Sequence, residues 1–182
     1  ICQNQLEADF VRITYDVPSD RIRIIPNGVD PVFYNADPDM FISKYRVKDF
    51  VLFSGNLVAR KNPLLLAKTL DRMKCRGVFI GKIFPSEQRY GEEFVHFIQQ
   101  CPHLLWIPGL SHDDLMLASA YAASRVFCLP SSSETQSLSA LEAMAAGKPI
   151  ILGDLPYAYQ RPFENALRCN VNEIKSLEHS LQ

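Results

Sequence analysis

Short apolar runs alternate along this chain with longer stretches whose apolar positions recur every three or four residues. The runs lie at residues 50–54, 77–81, 104–107, 126–129 and 150–152, with a shorter one at 166–169. Near-continuous Val, Ile, Leu and Phe suits strands buried on both faces. Between the runs the period becomes that of a helix. Residues 63–74 put Leu66, Leu70 and Met73 on one face, and residues 87–100 do the same with Tyr90, Phe94, Phe97 and Ile98. A helix reaching residue 123 begins near Ser111, read as its N-cap, with Asp113 and Asp114 in the first turn. Another spans 138–146 and is closed by Gly147, which tolerates a left-handed helix end. Residues 155–163 read as irregular or short helix, and 172–182 as a final helix.

Upstream the pattern is looser. Leu6, Phe10 and Ile13 draw a helical stripe through residues 3–16. Residues 21–25 alternate charged and apolar positions, like a strand with one wet face. Pro26-Asn27-Gly28 is turn chemistry, and residues 37–45 predict a short helix opening at Asp37-Pro38. Asn62-Pro63 supplies an N-cap and a first helical residue. The alternation of strand and helix predicts an α/β fold, a doubly wound parallel sheet with right-handed crossovers.

Composition narrows the function classes. With 182 residues the chain supports one domain with a substantial core. Its 47% hydrophobic and 21% charged residues are ordinary for a soluble globular protein. A formal net charge of -1 attracts neither nucleic acid nor an anionic membrane globally, so any anion site is local. No apolar run reaches the ~20 residues of a membrane span, and no signal-peptide pattern opens the chain. Starting at Ile1 without Met, the sequence reads as a piece of a longer protein. Five cysteines, an odd number without a C-x-x-C pair, indicate a reducing compartment and bystander thiols.

In a doubly wound sheet ligands gather beyond the carboxyl ends of the strands. The loops expected there, residues 55–61, 81–86, 108–111 and 130–137, hold Gly55, Arg60, Lys61, Leu110, Glu134 and the amides of Ser137 and Leu138. Arg60 and Lys61 precede a helix start, where the dipole is already positive, a placement that favours a bound anion. A solvated basic loop is the alternative. Between Thr135 and Gly147 the only charged residue is Glu142, among Leu138, Leu141, Met144 and Ala145. Buried there, its carboxylate needs a polar partner. Glu134 and Glu142 also read as a surface carboxylate and a salt-bridged core carboxylate. Cations and helix amides for a diphosphate, with carboxylates for hydroxyls, together suit a nucleotide sugar. The loop glycines do not follow the dinucleotide or Walker spacings.

The stretch Leu129-Pro130-Ser131 to Glu134, continued by Leu141-Glu142-Ala143-Met144-Ala145-Ala146-Gly147-Lys148-Pro149, resembles the signature of the family 4 (group 1) glycosyltransferases of the GT-B fold. That signature has two glutamates separated by seven residues. Pro26-Asn27-Gly28-Val29-Asp30 resembles the family's entry into its carboxy-terminal domain, and residues 55–62 its phosphate loop. The resemblance implies a Rossmann-like donor domain over residues 21–182, led in by a hinge-side helix over 1–20 from a missing amino-terminal domain. It implies a retaining, metal-independent hexosyl transfer with no cofactor beyond a UDP-, GDP- or ADP-sugar donor. A glycan or lipid-linked acceptor would sit mainly on the missing domain, which would also make any membrane contact. The location implied is cytoplasmic, at the inner face of a membrane, in polysaccharide or glycolipid synthesis. Carried over by position, Lys61 neutralises the donor diphosphate, Glu142 binds the ribose, Glu134 acts beside the transferred sugar, and Leu110 lies near the base. Gly55 and the Ser137 and Leu138 amides approach the phosphates. Asn56 stands where the family has arginine, with Arg60 as its substitute. Ser137 and Pro108 stand where glycine is usual. An epimerase of the same fold, and a catalytically silent nucleotide-sugar-binding domain, are the alternatives.

Overall fold

The computed structural model describes residues 1–111 and 114–182. Within them, strands β1 (Val51–Ser54), β2 (Gly77–Ile80), β3 (Leu104–Ile107), β4 (Val126–Leu129), β5 (Ile150–Gly153) and β6 (Leu167–Cys169) form one sheet. Its order is β3-β2-β1-β4-β5-β6 and every pairing is parallel. All residues of β1, β2, β4 and β5 are buried, which is why they read as unbroken apolar runs.

Helices α1 (Gln5–Tyr15), α2 (Pro38–Tyr45), α3 (Pro63–Met73), α4 (Gln88–Gln99), α5 (Leu115–Ala123), α6 (Leu138–Ala145) and α7 (Ile174–Leu181) complete the chain. From β1 the sheet is first built outward through β2 to β3; the chain then returns to β4 and builds the other way. Right-handed crossovers therefore send α3 and α4 to one face and α5 and α6 to the other. Contacts agree: α3 packs on α4 and α7, while α5 packs on α2 and α6. Phe53, Phe79 and Phe94 fill the core with ring centroids 5.2 to 5.8 Å apart. Gly147 closes α6 with φ of 69°, the left-handed end its identity implies.

Several expectations need correction. Residues 21–25 are not a strand: Ser19–Arg21 form a 3-10 turn, and Ile24 makes a single parallel bridge to Cys2. The segment has only one neighbouring strand segment to pair with, so no ladder extends. The stripe on α1 exists but faces solvent, with Leu6 38%, Phe10 58% and Ile13 72% exposed, and Ala8 alone of that helix buried. The N-cap of α5 is Asp114, whose carboxylate accepts from the Met116 amide, rather than Ser111; Asp113 lies outside the described residues. Asn62 precedes α3 in a left-handed conformation and makes no side-chain cap. Its amide is committed elsewhere, donating to the carbonyls of Pro130 (3.0 Å) and Val171 (3.1 Å).

Where β1 and β2 end, Gly81 lies so close to the chain leaving β1 that a Cβ on it would stand 1.8 Å from the Gly55 carbonyl oxygen. Gly81→Ala is therefore expected to force the two strand exits apart at a cost of about 1–3 kcal/mol. At about 2–4 °C per kcal/mol for a domain of this size, the melting temperature falls by about 5 °C. A calorimetric scan of the two chains reads the difference.

Candidate functional site

Strands β1 and β4 are neighbours, yet the chain leaves β1 toward β2 and leaves β4 toward β5. Their carboxyl ends flank the place where a doubly wound sheet opens a crevice. A cavity of about 440 Å³ lies there, lined among others by Ser54, Gly55, Asn56, Lys61, Leu110, Glu134, Ser137, Leu138 and Glu142. Of the residues assigned a part in donor binding from the sequence, Arg60 alone does not line it. A second cavity of about 280 Å³ adjoins it, sharing Ser54, Gly55, Asn56, Leu110 and Leu117 and extending past Lys82 and Gly109 to the ends of β2 and β3.

The loops after β1 and β4 are stitched together. Arg60 does most of this with both its ends. Its carbonyl accepts from the Ser132 amide (2.7 Å) and the Ser132 hydroxyl (3.1 Å), while its guanidinium donates to the Ser133 carbonyl (2.7 Å). The same Nη1 reaches Glu134 Oε1 at 3.1 Å. Lys61 Nζ meets that oxygen at 3.2 Å, and the Ser131 hydroxyl donates to it at 3.1 Å. Glu134 and Lys61 side chains keep only 10% and 14% exposure, against 50% for Arg60. Beneath the loop, Tyr157 donates its hydroxyl proton to the Ser131 carbonyl at 3.0 Å. Burial, before any other cause, raises the Tyr157 phenol above its ordinary pKa, so it stays protonated for that bond.

On the other wall stands α6. Ser137 is its N-cap, buried, with its hydroxyl accepting from the Ala140 amide at 3.3 Å. The first amides of a helix have no partner within the helix, so the start of α6 faces the cavity with donors and positive dipole. One turn on, Glu142 is 95% buried, its side chain meeting both the cavity and the core. The polar partner its position demands is within the protein. Tyr121 of α5, fully buried, donates its hydroxyl to Glu142 Oε2 at 2.7 Å.

Sequence reasoning missed three contributors. Tyr121 was a visible signal, a phenol amid Leu117, Ala118 and Ala120 that needs a hydrogen-bond partner as Glu142 does. Ser131 and Gln136 carried no comparable sign. The Gln136 side chain accepts from the Asn27 amide (2.6 Å), and the Asn27 side chain donates back to the Gln136 carbonyl (3.2 Å). The Pro26-Asn27-Gly28 segment, which forms no turn despite its composition because Asn27 is engaged by Gln136, is thus clamped to the loop before α6. Among the described residues no group of His, Cys, Asp and Glu is placed to share a metal ion. Nor is any helix long and apolar enough to cross a membrane.

Burial, then the adjacent Glu142 charge, holds the Tyr121 phenol well above its ordinary pKa. A solvated tyrosine ionises near 10, so above about pH 10 unfolding releases the Tyr121 proton and the folded chain loses stability as pH rises. Tyr121→Phe is expected to flatten that alkaline decline by up to about 1.4 kcal/mol per pH unit. At pH 7 the same change lowers stability by about 1–3 kcal/mol, because a buried carboxylate loses a donor. Denaturant melts of both chains from pH 7 to pH 11 separate the two effects.

With this geometry in view, comparisons with known proteins become specific. Over 142 residues the chain is 29% identical to sulfoquinovosyl transferase SQD2 of Arabidopsis thaliana, covering 73% of this chain and 26% of that one. It is 28% identical over 157 residues to D-inositol 3-phosphate glycosyltransferase of Xylanimonas cellulosilytica, covering 79% of this chain and 37% of the relative. Among solved structures, Anabaena Alr3699/HepE in complex with UDP and glucose superposes with a TM-score of 0.79 at 18% identity, a likeness of fold. That match covers 98% of this chain and 51% of the other, so the chain spans about half of that structure and less of the two curated relatives. Residues 40–179, most of the chain and including every residue of the cavity from Ser54 to Glu142, match the family described as Glycosyl transferases group 1, and to that family the chain belongs.

Proposed function

We propose that this chain is the carboxy-terminal, donor-binding half of a family 4 glycosyltransferase that moves a hexosyl group from a nucleoside diphosphate sugar to an acceptor. The observation that carries the reading is one cavity with two kinds of wall. Lys61 and the amino end of α6 supply positive charge and amide donors, and Glu142 supplies a buried carboxylate aligned by Tyr121. A diphosphate suits the first wall and a ribose diol the second. UDP and glucose bound to the Anabaena neighbour support this choice of ligand class.

In this reading Lys61 and the Ser137 and Leu138 amides relieve the charge that builds on the leaving diphosphate, an electrostatic task for preorganised donors. Gly55 lets the chain pass close to the phosphates. Its packing leaves room only for the Lys61 side chain, whose Nζ lies 3.3 Å from where a Cβ would stand. Glu134 stands beside the transferred sugar, and Leu110, bordering both cavities, marks the side of the base. Transfer retains the anomeric configuration and needs no metal, since Lys61 and helix amides meet the diphosphate. Residues 1–20 approach from an amino-terminal domain that carries most of the acceptor site, glycan or lipid-linked, at the cytoplasmic face of a membrane. This half alone does not turn over.

Titration of the chain with UDP, GDP and ADP tests the reading and selects the base. One of the three is expected to bind, and Lys61→Ala to weaken it at least tenfold while the melting temperature stays within a few degrees. Glu142→Ala is expected to weaken binding too, but with a loss of stability, because it removes the carboxylate that accepts from the buried Tyr121 hydroxyl. No binding of any of the three at millimolar concentration would refute the donor site.

A further inference from the structure

Lys61, the cation that lines the cavity, is already spoken for. Its Nζ shares Glu134 Oε1 with Arg60 Nη1, at 3.2 and 3.1 Å, and the Ser131 hydroxyl donates to the same oxygen at 3.1 Å. Lys61 and Glu134 are mostly shielded from water, so their attraction is screened less than that of a surface pair. The net charge of the trio is one positive. An anion approaching Lys61 therefore meets a carboxylate that holds the same ammonium group.

Arg60 differs from Lys61 in position. It is half exposed, does not line the cavity, and is anchored through Nη1 to the Ser133 carbonyl at 2.7 Å. From there it touches Glu134 but not the space a diphosphate would fill.

Resting on the donor-site reading above, we propose that Glu134 is an internal competitor for Lys61 and that Arg60 is the positioning residue that makes its displacement possible. When a diphosphate takes the Lys61 ammonium, Glu134 keeps two of its three donors, Arg60 Nη1 and the Ser131 hydroxyl. The carboxylate is handed from the shared pair to Arg60 and is not left uncompensated, the costly outcome for a shielded charge. Arrival of the diphosphate and release of Glu134 from Lys61 are then one exchange. A ligand with a single, weaker negative group leaves the exchange incomplete, so the device selects for doubly charged phosphates. Arg60 contributes to anion affinity only through Glu134.

Inorganic pyrophosphate, titrated calorimetrically into the chain at low ionic strength, tests this without reference to any base. Glu134→Gln raises the trio to two positive charges and removes the competitor, and is expected to tighten pyrophosphate about tenfold. Asp49→Asn is the charge control. It removes a carboxylate at the opposite end of β1, where the backbone is left-handed with φ of 55° and asparagine is well tolerated, and is expected to leave the affinity unchanged. Arg60→Met is expected to weaken pyrophosphate about fivefold, since Glu134 then leans harder on Lys61. In the Glu134→Gln background the same Arg60→Met change is expected to do nothing, and that coupling is what a double-mutant cycle isolates. Equal weakening by Arg60→Met in both backgrounds would show direct phosphate contact and overturn the proposal. So would a Glu134→Gln chain that binds pyrophosphate no more tightly than the original, or no pyrophosphate binding by any of the chains. A nucleoside diphosphate that binds the original chain leaves the donor site standing whichever way the exchange is decided.

Discussion

Two adjacent strands whose continuations turn away from each other leave a gap that the backbone cannot close, and here that gap lies between β1 and β4. Side chains and carbonyls bridge it instead. Asn62 reaches the Pro130 carbonyl, Arg60 receives the Ser132 amide and hydroxyl on its carbonyl, and its guanidinium holds Ser133 and Glu134. Without these bridges the loop after β4 would lose most of its anchoring to the loop after β1, keeping ties such as the Tyr157 bond at Ser131 and the Asn27 clamp at Gln136. The positions of Glu134 and of the start of α6 would then vary by more than the fraction of an ångström that a preorganised site allows.

The same crevice brings opposite electrical demands close together. The wall that carries Lys61 and the start of α6 is electropositive, while the buried Glu142 on the other side needs a hydrogen-bond donor. A phenol answers the second need. Tyr121 donates one proton to Glu142 from within the core and carries no charge of its own. A lysine in that place would have neutralised Glu142 and made both walls alike in charge. Using Tyr121 on one side and Lys61 on the other keeps the two chemistries apart across a single cavity.

Much of this was legible in the sequence, for reasons that differ by element. The central strands are buried on both faces, so Val51 to Ser54 and Ile150 to Gly153 announced themselves by composition alone. The two glutamates of the loop and of α6, with seven residues between them, could be recognised as a pattern, and the lone charge in an apolar helix posed the right question about Glu142. The answer was hidden because Tyr121 lies 21 residues away on another helix, and only the β4 crossover brings the two together. Asn62 misled for a related reason. Its type favours capping the helix that follows, yet two carbonyls far off in the chain claim its amide first. Residues 21–25 misled differently, since strand alternation there has one short segment to pair with and a ladder needs more. On α1 the helical period was real, but periodicity does not say what the apolar side faces.

The Tyr121–Glu142 bond also constrains how such a protein can change over time. Either residue lost alone takes a hydrogen bond from its buried partner, so single steps in either direction pass through a less stable chain. The two positions are best inherited as a unit. A descendant that gives up the carboxylate gains by exchanging the tyrosine for phenylalanine in the same interval, and its pair of substitutions, on two helices that are distant in sequence, would record that the carboxylate wall of the cavity had been abandoned.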